Sequence, residues 1–408
     1  MKPDTRPVSR AAKDRGEAVA LMEPLLIGEG ARHRSELTDL ALELAQRSAG
    51  FHRSLPSTLV GSLSDLVRSM NCYYSNLIEG HDTHPIDIEA ALSGDLSADR
   101  RKRDLQLEAK AHIEVQRWLD GGPLSRSAVT VDAVREIHRR FCEHLPVDLL
   151  WVPDAKADDR VEIVPGAWRD RDVAVGRHVA IGPAAVPRFM ERFQQVYGGL
   201  GKTETIIAAA AAHHRLVWIH PFLDGNGRVA RLVSHATLLG TLDTGAVWSI
   251  ARGLARSVDA YKGHLAACDQ PRRNDLDGRG NLSEEALVAF TRFFLQTCLD
   301  QVAFMESLMQ PEQLRARILL WAAEKTRAGD LPSKSEAVLE ALLYRGDLPR
   351  GEVSAVVGTG DRQARRVVSA LVDAGAIASQ SSRANLRLAF PATLASRWMP
   401  GLFPERRA

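Results

Sequence analysis

The sequence is poor in cysteine, in net charge and in long apolar runs. Its four cysteines, Cys72, Cys142, Cys268 and Cys298, are scattered and form no C-x-x-C pair. That argues against a disulfide framework or zinc-finger spacing and fits a reducing compartment. The 53 Lys plus Arg stand against 51 Asp plus Glu, a formal net charge of +2. Overall charge therefore draws the chain to neither nucleic acid nor membrane, and any such attraction must be local. No apolar stretch reaches the roughly eighteen residues of a membrane span; even IIAAAAA at 206–212 is short. The first twenty residues, MKPDTRPVSRAAKDRGEAVA, are too charged for a secretory signal. A cytoplasmic location is the expectation. With 45% apolar and 25% charged residues the chain is not disordered at large, and 408 residues predict two to four units.

Residues 1–30, broken by Pro3, Pro7, Gly16 and Pro24, read as a loose N-terminal arm. Apolar residues at helical spacing predict helices over Glu36–Arg47 and from Pro56-Ser57 to Glu79-Gly80, joined by AGFHRSLPS. Further helices are predicted near 104–120 and 130–144. Between 150 and 182 the pattern alternates, and VEIVPGAWRDRDVAVGRHVAIG reads as a β-hairpin. Helices resume near Val186, at 204–219 and after the glycine cluster at 225–227, and a polar loop at 270–283 precedes a long helix from Glu284 to about Leu308. The expected fold class is mainly α with one hairpin and a separate C-terminal module. The expected domains are 1–125 (arm and helical region), 126–300 (core), 301–332 (connecting helix and linker) and 333–408 (C-terminal module).

The sharpest signal is IHPFLDGNGRVAR, from Ile219 to Arg231. It reads as a helix, a loop with two glycines and a second helix starting near Gly227. Gly225 and Gly227 are read as positive-φ positions that turn several N–H groups one way, an anion nest suited to phosphate. Arg228 and Arg231, three apart, share one helix face. Asp224 offers a hard carboxylate for Mg²⁺, and His220 ends the preceding helix, placed for proton transfer. The paired His213 and His214 read as packing or hydrogen-bonded residues, and His112, His138 and His235 as structural.

This stretch resembles the Fic family, whose motif H-P-F-x-[DE]-G-N-G-R-x-x-R it matches at every fixed position. The resemblance implies a Fic-type helical core over about 126–300, with the hairpin at about 160–182 as a flap that aligns a target segment. It implies transfer of AMP from Mg-ATP to a Ser, Thr or Tyr hydroxyl of a protein. His220 would be the base, Asp224 the Mg²⁺ ligand, and Gly225, Asn226, Gly227 and Arg228 the cradle of the α- and β-phosphates. Arg231 would anchor the γ-phosphate. The kinase-like branch carries lysine where Gly227 stands, which favours AMP over phosphate transfer. Upstream, Ser75-Asn76-Leu77-Ile78-Glu79-Gly80 resembles the inhibitory signature [ST]-x-x-x-E-[GN], which implies that Glu79 takes Arg231 from the γ-phosphate. Removal of AMP at the same site, with Glu79 positioning water, and a nucleotide-sensing transcription regulator are the alternative readings.

Residues 333–390 follow the helix, helix, helix, hairpin order of a winged helix, with SSRAN as the wing tip. Arg362, Gln363, Arg365 and Arg366 cluster at the start of its third helix, where helix-turn-helix proteins enter a major groove. From Pro332 onward there are 11 Lys plus Arg against 7 Asp plus Glu, a modest excess. DNA binding and protein interaction, including a homodimer, both stay open for this tail.

Overall fold

The computed structural model describes residues 14–124, 127–153 and 160–404. The chain runs through α1 (Arg34–Ser54), α2 (Ser57–Ile78), α3 (Pro85–Leu92), α4 (Arg100–Asp120) and α5 (Val131–Glu143). Two small antiparallel hairpins follow, β1 (Trp151–Pro153) with β2 (Arg160–Glu162), then β3 (Ala174–Val175) with β4 (His178–Val179). Next come α6 (Val186–Tyr197), α7 (Lys202–Ile219), α8 (Asn226–Thr241), α9 (Ala251–Arg256) and α10 (Val258–Cys268). Two longer helices, α11 (Glu284–Leu308) and α12 (Pro311–Ala328), lead to the C-terminal stretch. That stretch contains α13 (Ser335–Arg345), β5 (Asp347–Leu348), α14 (Val353–Val357), α15 (Asp361–Asp373), β6 (Ile377–Ala378), β7 (Leu386–Leu388) and α16 (Ala392–Trp398). The protein is mainly helical, and it folds as two compact units.

The first unit takes in Gly121–Thr241 and Ser257–Leu295 together with the N-terminal residues up to Leu42. Its centre is α7, buried from Ile206 to Leu216 and again at Trp218 and Ile219. The alanines of IIAAAAA have little side chain to hold neighbours away, so α8 packs closely along α7, and its Val229, Leu232, Val233 and Ala236 are each nearly sealed from solvent. The adjacent α5 is capped by the Thr130 hydroxyl, which accepts from the Ala133 amide at 3.2 Å. Two expectations need correction here. The alternating stretch is two hairpins rather than one, because Pro165 and the left-handed Gly166 (φ +73°) break the ladder between them. The N-terminal arm is not loose from residue 19 onward. A 3-10 turn at Val19–Met22 leads into buried Met22, Leu25 and Ile27. The Tyr197 hydroxyl donates to Leu25 O at 2.7 Å, and Arg215 donates to Pro24 O at 2.8 Å. Three apolar side chains in a short stretch broken by Pro24 and Gly28 gave no periodic signal. Residues 1–13 lie outside the described residues.

The second unit comprises Glu43–Asp120, Leu242–Arg256 and the chain from Gln296. Within it α2 packs against α3, α4 and α9. Pro56 opens α2, and Glu79 and the left-handed Gly80 (φ +86°) close it. The predicted loop AGFHRSLPS is mostly helix: α1 continues to Ser54 because Phe51, 2% exposed, has a core position to fill. The C-terminal stretch forms a three-stranded antiparallel sheet in the order β5-β7-β6, with Leu348 opposite Leu386 and Ile377 opposite Leu388. In α15 the buried residues are Ala364, Val367, Val368 and Leu371, a spacing that turns the arginines outward.

Candidate active site

The site is built on the way α7 ends. A helix leaves its last four carbonyls without intrahelical partners, and here each finds one. The His220 amide donates to Leu216 O at 3.1 Å, and its ring Nδ1 donates to Val217 O at 3.2 Å. His178, on β4, donates from Nε2 to Trp218 O at 2.7 Å. Arg169 reaches Ile219 O at 3.4 Å and His220 O at 2.7 Å. A cation at this end also suits the helix dipole.

His220 itself is left-handed (φ 50°, ψ 61°), a conformation that costs a non-glycine residue about 1–3 kcal/mol. The four caps hold it there. An imidazole that donates from Nδ1 carries its lone pair on Nε2, so this corner presents a proton acceptor from a half-buried ring.

Arg169 is 3% exposed and does more than cap the helix. Its guanidinium also donates to Arg171 O at 2.7 Å and Ile181 O at 2.5 Å, and its amide donates to Pro221 O at 2.9 Å. It thus ties the 169–181 segment to the His220 corner. Burial pulls its pKa down to about 10, which leaves it charged at neutral pH.

The loop after His220 is held from both sides. Phe222 is fully buried, and its ring stacks on His138 at 3.8 Å between centroids, 4° from parallel. His138 Nδ1 accepts from the Gly166 amide at 2.9 Å, and the ring also bonds to the Asp224 backbone. Burial depresses its pKa to about 4, so it stays neutral. The Asn226 side chain closes the loop: Oδ1 accepts from the Phe222 amide at 2.9 Å and Nδ2 donates to Phe222 O at 2.8 Å. The Asn226 side-chain amide is thus committed to closing the loop.

Gly225 has the expected positive φ (+78°), whereas Gly227 lies in the first turn of α8, which starts at Asn226. The first-turn amides of α8 face the loop. Arg228 and Arg231 follow, 7% and 3% exposed, with the Arg228 guanidinium 4.9 Å from the Phe141 ring centroid. Asp224 stands at the loop's outer edge with its side chain 54% exposed and Oδ2 3.5 Å from Arg228. An exposed hard carboxylate beside helix-terminal amides fits Mg²⁺, which takes one or two carboxylates and completes its shell with water and phosphate oxygens.

His213 and His214 are hydrogen-bonded core residues. His213 bridges Ser234 Oγ at 2.9 Å and the Tyr261 hydroxyl at 2.7 Å, and burial, reinforced by the Arg231 charge, lowers its pKa to about 3. His214 meets Asp269 at 3.0 Å and is lowered to about 4, mainly by burial.

One loop and helix thus bring together His220, Asp224, Gly225, Asn226, Gly227, Arg228 and Arg231. The other predicted positions belong to the second unit. Ser75 is fully buried within α2, whereas Glu79 and Gly80 are exposed at its end. Arg362, Gln363, Arg365 and Arg366 are all exposed on α15. Arg169, His178 and the clamp role of His138 carry no local sequence signal, because the partners of Arg169 and His178 lie about forty to fifty residues away.

Residues 128–238 match the Fic/DOC family. The protein adenylyltransferase Fic of Drosophila erecta is 26% identical over 222 residues, covering 52% of this chain and 42% of that protein. Its namesake in Drosophila persimilis is 28% identical over 169 residues, covering 41% of this chain and 30% of that one. The matched part spans less than half the length of these relatives. Among solved structures, a Fic family protein from Desulfovibrio desulfuricans G20 has a TM-score of 0.51 at 15% identity, covering 89% of this chain and 98% of that one. A Fic-1 fragment from C. elegans also has a TM-score of 0.51, at 17% identity, covering 68% and 73%. At these identities the likeness to the solved structures is one of fold.

Proposed function

The chain carries a Fic/DOC-family domain over residues 128–238, and on that premise we propose that it transfers AMP from ATP to a Ser, Thr or Tyr hydroxyl of a protein. The observation that carries the reading is the His220 corner, a left-handed histidine pinned through Nδ1–H beside the N-terminus of α8. Nε2 takes the proton as the hydroxyl oxygen attacks the α-phosphorus. The bond from that phosphorus to the pyrophosphate oxygen breaks, and pyrophosphate leaves. The α8 amides hold the α- and β-phosphates, and Arg228 and Arg231 add their charges. Asp224 would hold Mg²⁺, whose chemistry is to neutralise charge on the phosphate oxygens. Such reactions depend mainly on positioning and charge stabilisation, which suits a loop fixed by Arg169, His138 and Asn226.

Glu79 acts as the brake in this reading, taking Arg231 from the γ-phosphate; support comes from the S-N-L-I-E-G signature and from the exposed end of α2. The C-terminal stretch is read as a winged helix that binds DNA through Arg362, Gln363, Arg365 and Arg366. The three arginines form no ion pair with any described residue, and that favours an external anion.

The test is parallel incubation with ATP labelled on the α- or the γ-phosphate. Retention of the α label alone on an acceptor protein is expected. Retention of the γ label would mean phosphate transfer, and no protein-bound label from active, ATP-binding material would refute the proposal.

A further inference from the structure

Within the second unit a groove of about 840 Å³ opens among α1, α2, α11, α12, α13 and α14. It shares no residue with the His220 loop. Its volume is that of a small-molecule site, where a mostly apolar lining carries a few placed polar groups. The floor is apolar: Phe51, Leu59, Met309 and Leu314 line it, none more than 5% exposed.

The rim carries mostly negative charge. Glu306, Glu312 and Glu340 line it against two guanidiniums, Arg315 and Arg345. Both guanidiniums are engaged. Arg315 pairs with Glu340, and Arg345 pairs at 2.7 Å with Glu352, which is not part of the lining. Glu306 and Glu312 form no ion pair within 4.0 Å with a described residue, although the Glu312 charge also acts on Arg315 from beyond that distance. Tyr344, 92% exposed, adds an aromatic face at the rim, and such faces attract cations.

We propose that this groove binds a small amphipathic organic cation. An apolar, ring-bearing body covers the floor, and an ammonium or amidinium group meets Glu306 and Glu312 at the rim. A neutral ligand of the same shape would leave those carboxylates unmatched, and an anionic one would be repelled.

The test uses the full chain and three probes: dansylcadaverine, whose dansyl ring carries an alkylammonium, and analogues ending in a hydroxyl or a carboxylate. Fluorescence titration should show saturable binding, with the ammonium probe held roughly tenfold more tightly than the hydroxyl one, the effect of two partly exposed charge pairs. The carboxylate probe should bind most weakly. The double substitution Glu306→Gln, Glu312→Gln should erase the preference and leave the hydroxyl probe's affinity unchanged. Ala341→Trp, which fills the groove, should remove binding of all three. Absence of saturable binding, a preference for the carboxylate probe, or full binding by a folded Ala341→Trp variant would overturn the proposal.

Discussion

The charged residues singled out in the two units sit differently. In the first, Arg169, Arg228 and Arg231 are nearly sealed from solvent, and His138, His213 and His214 are buried neutral. In the second, Glu79 is exposed at the end of α2, and Arg362, Arg365 and Arg366 face outward on α15. A buried charge is tolerated only where partners satisfy it, so these first-unit arginines are held as parts of the structure. Exposed charges add little to stability, so the arginines on α15 can act on something outside the fold.

The largest expected effect sharpens this contrast by pH. The three buried histidines have pKa values near 4, 3 and 4, below the ordinary value of 6.5. The unfolded chain therefore binds more protons below about pH 6.5. Their contribution is complete above that pH and is lost as pH falls toward 4, at up to roughly 1.4 kcal/mol per pH unit for each ring. Hydrogen exchange of α7 amides should show stability falling by several kcal/mol between pH 7.5 and 5; a flat profile would break the comparison.

Next in size is Arg169→Met. It unpairs carbonyls at the end of α7, each worth about 1–3 kcal/mol when left buried. The melting temperature should fall, and AMP transfer should drop in the fraction that stays folded. A rate unchanged from wild type would show that the clamp does not position His220.

Glu79→Gly should raise AMP transfer by roughly 10²-fold, the scale expected when a misplaced phosphate is released into line. Arg231→Ala should lower transfer instead. No gain in a folded, ATP-binding Glu79→Gly protein would remove the brake, and loss of AMP removal in that variant would make Glu79 a catalytic group.

The smallest effect on stability is expected from Arg362→Ala, Arg365→Ala and Arg366→Ala together, within about 0.5 kcal/mol. Their effect should appear in DNA affinity, whose log–log salt slope becomes shallower by about 0.9 for each phosphate that the variant no longer neutralises. Unchanged affinity, or no DNA binding at low salt, would leave protein interaction as the role of α15.

What was legible in the sequence was local. Pro56 and Gly80 bound α2, and the D-G-N-G run separates α7 from α8, because these residues act on their own backbone. The arginine cluster at the start of α15 was likewise legible. Pairings distant in sequence were not legible: Arg169 on the end of α7, His138 under Phe222, and Met22 and Leu25 in the first unit's core. Asn226 was visible as a motif position, yet its loop-closing role depends on Phe222, whose backbone it meets on both sides.

The central claim is that His220 moves a proton and contributes little to holding ATP. It is tested most directly by measuring ATP affinity and single-turnover AMP transfer together in His220→Ala. The account predicts an affinity within a few-fold of wild type and a transfer rate lower by roughly 10²–10⁴-fold. Transfer at the wild-type rate in that variant would contradict it.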